Sequence, residues 1–294
     1  MDLWEFLMVL QLVECSIVTI CNLAALLTIF KSKTLRRLFN DYMLLCLFIS
    51  HGLVGALNVV TVCMYWAGYP WSTTDYVIVT RDIVAGLEIY FTIIQSIERY
   101  VAIRKPFFYA RLAKFHAILF LSVTSILPLA FCVGRIYTQA TLIFGCLITI
   151  LGGIFISATN IFLYRSVKKQ CKEITKTIID RSEQRQKDRR KVMRKRKLRS
   201  LKMCIYITIS YLLTWCPLVV FAIAHVMGWL DIYYITAATL IGFSNGIWDV
   251  LIYFYFNEKA RRVLNQLLGR KTNVIGQDDS SMFTSTVTYP TSKF

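Results

Sequence analysis

A chain of 294 residues that is 56% hydrophobic and 17% charged, with mean hydropathy +0.53, is too apolar for a soluble domain of its length. Its net charge of +17 would suit a nucleic-acid binder, but the 34 Lys and Arg are not spread over one face. Nearly all fall in four clusters, Lys31–Arg37, Arg104–Lys114, Arg165–Lys202 and Lys259 onward, with long apolar runs between them. That is the positive-inside pattern of a multi-pass membrane protein, and it argues against a nucleic-acid partner. It predicts an extracellular N-terminus, a cytoplasmic C-terminus and an odd number of crossings.

A crossing needs about 20 apolar residues. The first predicted span is Trp4–Phe30, with Glu14 and Asn22 as its strongly polar positions. No Lys or Arg precedes Lys31, so this stretch reads as an uncleaved helix rather than a signal peptide. The second span, Asp41–Trp66, carries His51. The third, Trp71–Ile103 with its entry loop, carries Glu88 and ends in Ile-Glu98-Arg99-Tyr100-Val-Ala-Ile, followed by Pro106 and Tyr109. An acid beside an arginine at the mouth of a membrane helix is costly to place there and calls for a reason. Lys114–Val133 is the fourth span, and Gly134–Gln139 a short outer loop. The fifth is Ala140–Leu163, with Gly152-Gly153 and Asn160.

The stretch Arg165–Lys202 is densely basic and has no Gly or Pro, which favours helical extensions of spans five and six running beside anionic headgroups. Span six, Met203–Met227, contains Tyr211-Leu-Leu-Thr-Trp215-Cys216-Pro217. Its proline frees a carbonyl and bends the helix. Span seven, Ile232–Phe256, ends Asn245-Gly-Ile-Trp-Asp249-Val250-Leu-Ile-Tyr253. In Asn257–Leu268 the residues Val263, Leu264, Leu267 and Leu268 share one face, the mark of an interfacial amphipathic helix, with Gly269 as its C-cap. The expected architecture is therefore all-α: a seven-transmembrane helix bundle with a short eighth helix over residues 1–268. A polar tail predicted to be disordered follows over 269–294. The nine cysteines lie mostly in apolar spans without metal-like clustering and read as small buried hydrophobes.

These motifs, in this order, resemble those of rhodopsin-like (class A) G-protein-coupled receptors, from about Cys21 to Arg262. Glu98-Arg99-Tyr100 is similar to the family's third-helix signature, and Tyr211 to Pro217 to its aromatic-x-x-Cys-Trp-x-Pro. Asn245 to Tyr253 resembles its Asn-Pro-x-x-Tyr, with Asp249 for the asparagine and Val250 for the proline. Phe254–Arg262 is similar to the junction into its eighth helix. Cys21-Asn22-Leu23 resembles its first-helix Gly-Asn, but His51 stands where the family carries a sodium-holding aspartate. The usual span-four tryptophan, span-five proline and outer-loop disulfide are missing, Thr74 standing at the disulfide position. Together with Asp249 this resembles most the melanocortin, cannabinoid and lysophospholipid receptors. Phe243 stands where opsins have a lysine, which argues against a retinal protein.

The resemblance implies a plasma-membrane receptor that binds an extracellular ligand and activates heterotrimeric G proteins by outward movement of helix six. Its activation switch would comprise Glu98, Arg99, Tyr100, Trp215, Pro217, Asp249 and Tyr253. The family often pairs the arginine with an acid near the start of helix six. Here Arg194–Arg199 is basic, which predicts raised ligand-free activity. The ligand pocket would lie above Trp215, with Arg81, Asp82 and His225 as candidates. Arg81 favours an anionic group, or else pairs with Asp82 or Asp231, or snorkels outward. Asn22, His51, Glu88, Asn245 and Asp249 would converge mid-membrane, where buried charges persist only when paired or neutralised. Three readings stand there: an internal His51–Glu88 salt bridge, a displaced sodium site, and a proton switch centred on His51.

In the tail, Ser280, Ser281, Thr284 and Ser285 are candidate phosphorylation sites for receptor kinases and arrestin, and Ser292–Phe294 fits the end that PDZ domains bind. Two other classes compete with the receptor reading. An ion or proton translocator would use His51, Glu88 and Asp249 as its path, though no internal repeat is present. A receptor-like protein that no longer signals would act by dimerising with other receptors. An enzyme is not expected, because no soluble catalytic domain is present and His51, His116 and His225 are far apart.

Overall fold

A computed structural model describes residues 2–32, 39–69, 71–104, 109, 140–179 and 184–270 of the chain. They form α1 (Leu3–Lys31), α2 (Phe39–Trp66), α3 (Trp71–Arg104), α4 (Ala140–Ile179), α5 (Gln184–Val226), α6 (Ile232–Phe243), α7 (Asn245–Phe256) and α8 (Glu258–Leu267). Helix α4 is the predicted fifth span and α5 the sixth. The predicted fourth span, Lys114–Val133, lies outside the described residues. Among the described residues, five stretches are long and apolar enough to cross a membrane: Leu3–Lys31, Met43–Trp66, Thr149–Lys169, Ile205–Val226 and Tyr233–Phe256. Together with α3 they build an all-α bundle with lipid-facing flanks. Leu10, Val13, Ile17, Leu151, Leu213 and Val220 stand exposed, which only a hydrocarbon surround makes favourable.

Local chemistry explains where the helices begin and how they tolerate polar residues. Asp2 caps α1 by accepting from the Glu5 N–H at 2.8 Å, and Lys31 sits in its last turn. Along α1 the buried positions Leu7, Gln11, Cys15, Val18, Asn22, Ala25 and Ile29 recur every three or four residues, so one stripe faces the bundle. Hydroxyls that hydrocarbon would leave without partners donate back to their own helix. Thr19, Thr28, Thr61, Thr92, Ser157 and Thr239 each donate to the carbonyl four residues earlier at 2.6–2.9 Å.

Helices α4 and α5 carry the predicted extensions. At 40 and 43 residues they measure about 60 Å by a rise of 1.5 Å per residue, roughly twice the hydrocarbon thickness. Pro217 lies inside α5, and its missing N–H frees the Leu213 carbonyl. Span seven, expected as one helix, is divided at Ser244. The Ser244 hydroxyl donates to the Ile241 carbonyl at 2.7 Å, and Gly242 and Gly246 flank it, a combination that locally interrupts helices. Gly246 sits in a tight contact: a Cβ there would lie 3.0 Å from Val18 and 3.3 Å from His51, so these side chains would have to give. Asn257 caps α8 by accepting from the Ala260 N–H at 3.1 Å, and Ala260 is buried in a cluster with Ile29, Leu44, Phe48, Val250 and Tyr253. Gly269, at φ +68, closes its end as the Arg270 N–H donates to the Asn265 carbonyl at 2.9 Å.

Candidate functional site

The polar residues meet at mid-bundle. His51 of α2 places Nδ1 2.9 Å from Glu88 Oε1 of α3, and Nε2 3.1 Å from Asp249 Oδ2 of α7. All three side chains are at most 5% exposed. Asn245 Nδ2 donates to the same Asp249 oxygen at 3.4 Å, while Asn245 Oδ1 accepts from Ser210 at 3.1 Å and Thr214 at 3.3 Å, both on α5. From α1, Asn22 donates to the Val18 carbonyl at 2.8 Å and to the Gly246 carbonyl at 3.2 Å. One network thus ties α1, α2, α3, α5 and α7 together. Ser210 and Thr214 were not among the predicted residues, although their four-residue spacing on a span of apolar neighbours places both on one face.

The geometry constrains the charge. A neutral imidazole donates from one nitrogen only, so contacts from both nitrogens to two carboxyl groups require an imidazolium or a protonated acid. The three groups together therefore hold one more proton than two free carboxylates and a neutral ring. The position between the two acids is filled by a ring whose nitrogens already face their oxygens, and Asp249 Oδ2 also takes the Asn245 donor. Among the described residues no group of three or more His, Cys, Asp and Glu is arranged to hold a metal ion.

At the C-terminal end of α3, Arg99 Nε lies 3.4 Å from Glu98 Oε2, with Glu98 buried and accepting a hydrogen bond from the Tyr109 hydroxyl. Tyr100 is exposed and packs at a tilt against Phe162 of α4, whose ring also lies 4.7 Å from the Arg104 guanidinium carbon. Tyr253 is buried against Phe48 at 5.3 Å. On α5, Trp215 is buried beside Tyr211, Ile89 and Ile156 and stacks on Tyr211 at 6.0 Å, two residues before Pro217. His225 is used locally, its Nδ1 bonding the Leu230 carbonyl at 2.8 Å at the C-terminal end of α5. Arg81 and Asp82 lie on α3, but their side chains are outside the described residues. So are Ser280, Ser281, Thr284, Ser285 and Ser292–Phe294.

The basic start of span six is tethered in a way the sequence did not indicate. Arg199 Nη1 lies 2.6 Å from Glu258 Oε1 at the start of α8, both side chains about half exposed. The hydrogen bond and charge of Arg199 hold the Glu258 carboxyl below the usual carboxylate range, with Arg261 and Arg262 adding to it. A depressed pKa means that any stabilisation from this pair is present at neutral pH and is lost only as pH falls through the lowered value. The pair stays ionised through mildly acidic conditions.

A family model described as "7 transmembrane receptor (rhodopsin family)" matches residues 21–255. The chain belongs to that family. Compared with curated proteins individually, it finds no match. The match spans α1 from Cys21 to the penultimate residue of α7, so it covers the His51 cluster, the Glu98–Arg99 pair and Pro217 alike. The protein is thus a membrane receptor of a non-enzymatic family.

Proposed function

We propose that this receptor sits in the plasma membrane with its N-terminus outside, binds an extracellular ligand above Trp215, and couples to heterotrimeric G proteins when α5 swings outward about Pro217. The observation that carries the reading is the Glu98–Arg99 pair at the inner end of α3 in a rhodopsin-family chain whose α5 holds an internal proline. Coupling follows a shift in population: a ligand that binds the open arrangement more tightly makes Arg99 available to the G protein. The His51–Glu88–Asp249 cluster is the fixed internal ion pair of this machine, with the imidazolium in the role a bound cation would otherwise fill. The tail residues named above are its sites for kinases, arrestin and PDZ domains. The test is a recruitment screen over all G-protein classes, with and without a ligand library, comparing wild type with Arg99→Ala. The reading expects at least one class to be recruited by wild type and lost in the variant. Equal recruitment by both proteins contradicts it.

The Arg199–Glu258 pair bears on ligand-free output. An exposed pair contributes about 1 kcal/mol or less, about a five-fold change in population at most. Arg199→Glu is therefore expected to raise ligand-free recruitment by up to about five-fold, and Arg199→Glu with Glu258→Arg to return it towards wild type. Raised salt should blunt both effects, since screening weakens exposed charges. A single variant that changes nothing at low salt contradicts the tether.

A further inference from the structure

A second polar site lies where α3, α4 and α5 meet, apart from the His51 network. A cavity of about 10 Å³ is lined by Thr92, Gln95 and Ser96 of α3, Asn160 of α4, and Ile207 and Thr208 of α5. Gln95 and Asn160 are both 4% exposed. Gln95 Nε2 and Asn160 Oδ1 have no hydrogen-bond partner among the described residues. Among the other polar atoms lining it, Asn160 Nδ2 donates to Thr208 Oγ1 at 2.6 Å, Thr92 to the Glu88 carbonyl at 2.8 Å, and Ser96 to the Thr92 carbonyl at 3.1 Å. One buried donor and one buried acceptor are thus left facing a space close to the least that holds a water molecule.

Chemistry narrows the occupant. An apolar group would satisfy neither atom, and a cation would meet the Gln95 N–H donor. Only a small molecule that both accepts and donates serves the two together. We propose that this cavity binds a single water molecule, which accepts from Gln95 Nε2 and donates to Asn160 Oδ1. Lone pairs on Thr92 and Ser96 are available for its second proton. Gln95 precedes Arg99 by one helical turn on the same face of α3. The water therefore makes the seam directly above the Glu98–Arg99 pair a hydrated joint rather than an oily one. Parting α5 from α3 there uncovers groups that water can solvate, which lowers the cost of opening.

Two measurements on the full-length receptor decide the matter, and neither requires it to signal. A density map of the wild-type protein at a resolution that shows ordered waters is expected to contain a peak within hydrogen-bonding distance of both Gln95 Nε2 and Asn160 Oδ1. A map with ordered waters elsewhere and none here overturns the proposal. In thermal unfolding, Gln95→Met and Asn160→Leu each strand the other partner and are expected to lower the midpoint by about 3 °C. The double variant removes both polar ends of the water site and is expected to lose less than the sum of the two single variants, the loss of the Asn160–Thr208 hydrogen bond remaining in it. Purely additive losses in the double variant overturn the proposal as well.

Discussion

Replacing His51 with leucine is expected to destabilise the receptor by about 3–5 kcal/mol, the cost of leaving a buried charge without its partner. Here one ring serves two acids, Glu88 at 2.9 Å and Asp249 at 3.1 Å, on two different helices. Its loss leaves two buried carboxyl groups without the ring between them, Asn245 still donating to Asp249. Either they take up protons or the α2–α3–α7 contact opens. Neutralising the acids should reverse most of the damage: His51→Leu with Glu88→Gln and Asp249→Asn is expected to recover surface expression and most of the lost thermal stability. The check is thermal unfolding of detergent-purified protein together with surface expression. A single His51→Leu variant as stable as wild type would show that the ring is not what holds these helices together.

Gly55→Ala is expected to have the next largest effect, about 1–3 kcal/mol, by overfilling the α1–α2 contact. A Cβ at this position would lie 2.6 Å from Thr19 Oγ1, 2.9 Å from the Cys15 carbonyl oxygen and 3.2 Å from the Thr19 backbone nitrogen. Two of these neighbours are backbone, so the helices must separate rather than a side chain turn aside. Thr19→Ala in the same chain removes only the closest contact, so a partial rescue is expected in thermal unfolding. Full rescue would place the whole effect on the threonine hydroxyl, and an unaffected Gly55→Ala would mean that α1 and α2 do not approach this closely.

What was legible in advance followed the physics that sequence records directly. Apolar runs and basic clusters mark the spans because hydrocarbon admits little else, and Asn257–Leu268 shows its amphipathic face in residue spacing alone. The convergence of His51, Glu88, Asn245 and Asp249 was also anticipated, but through resemblance, since residues on three helices carry no local signal of contact. The salt-bridge reading pairs His51 with Glu88 alone, and the structure adds Asp249 at the second ring nitrogen. The division at Ser244 was not foreseen, because a serine's bond to its own helix depends on a rotamer rather than on composition. The Arg199–Glu258 pair was hidden for another reason: it joins positions 59 residues apart whose proximity follows from how α8 turns back beneath the bundle. Gln95 and Asn160 carry no local signal of contact, and only their shared cavity sets them apart.

The central claim is that α5 moves away from the bundle core when a G protein binds. Spin labels on Lys31→Cys at the end of α1 and Lys202→Cys on α5, both exposed positions, would report it in a background cleared of other reactive cysteines. The distance between them should be measured by pulsed electron resonance, with and without nucleotide-free G protein from the class that the recruitment screen identifies. The account predicts a second, longer distance that appears with the G protein and is absent in Arg99→Ala. A single unchanged distance in wild-type receptor, with the G protein demonstrably bound, would contradict it.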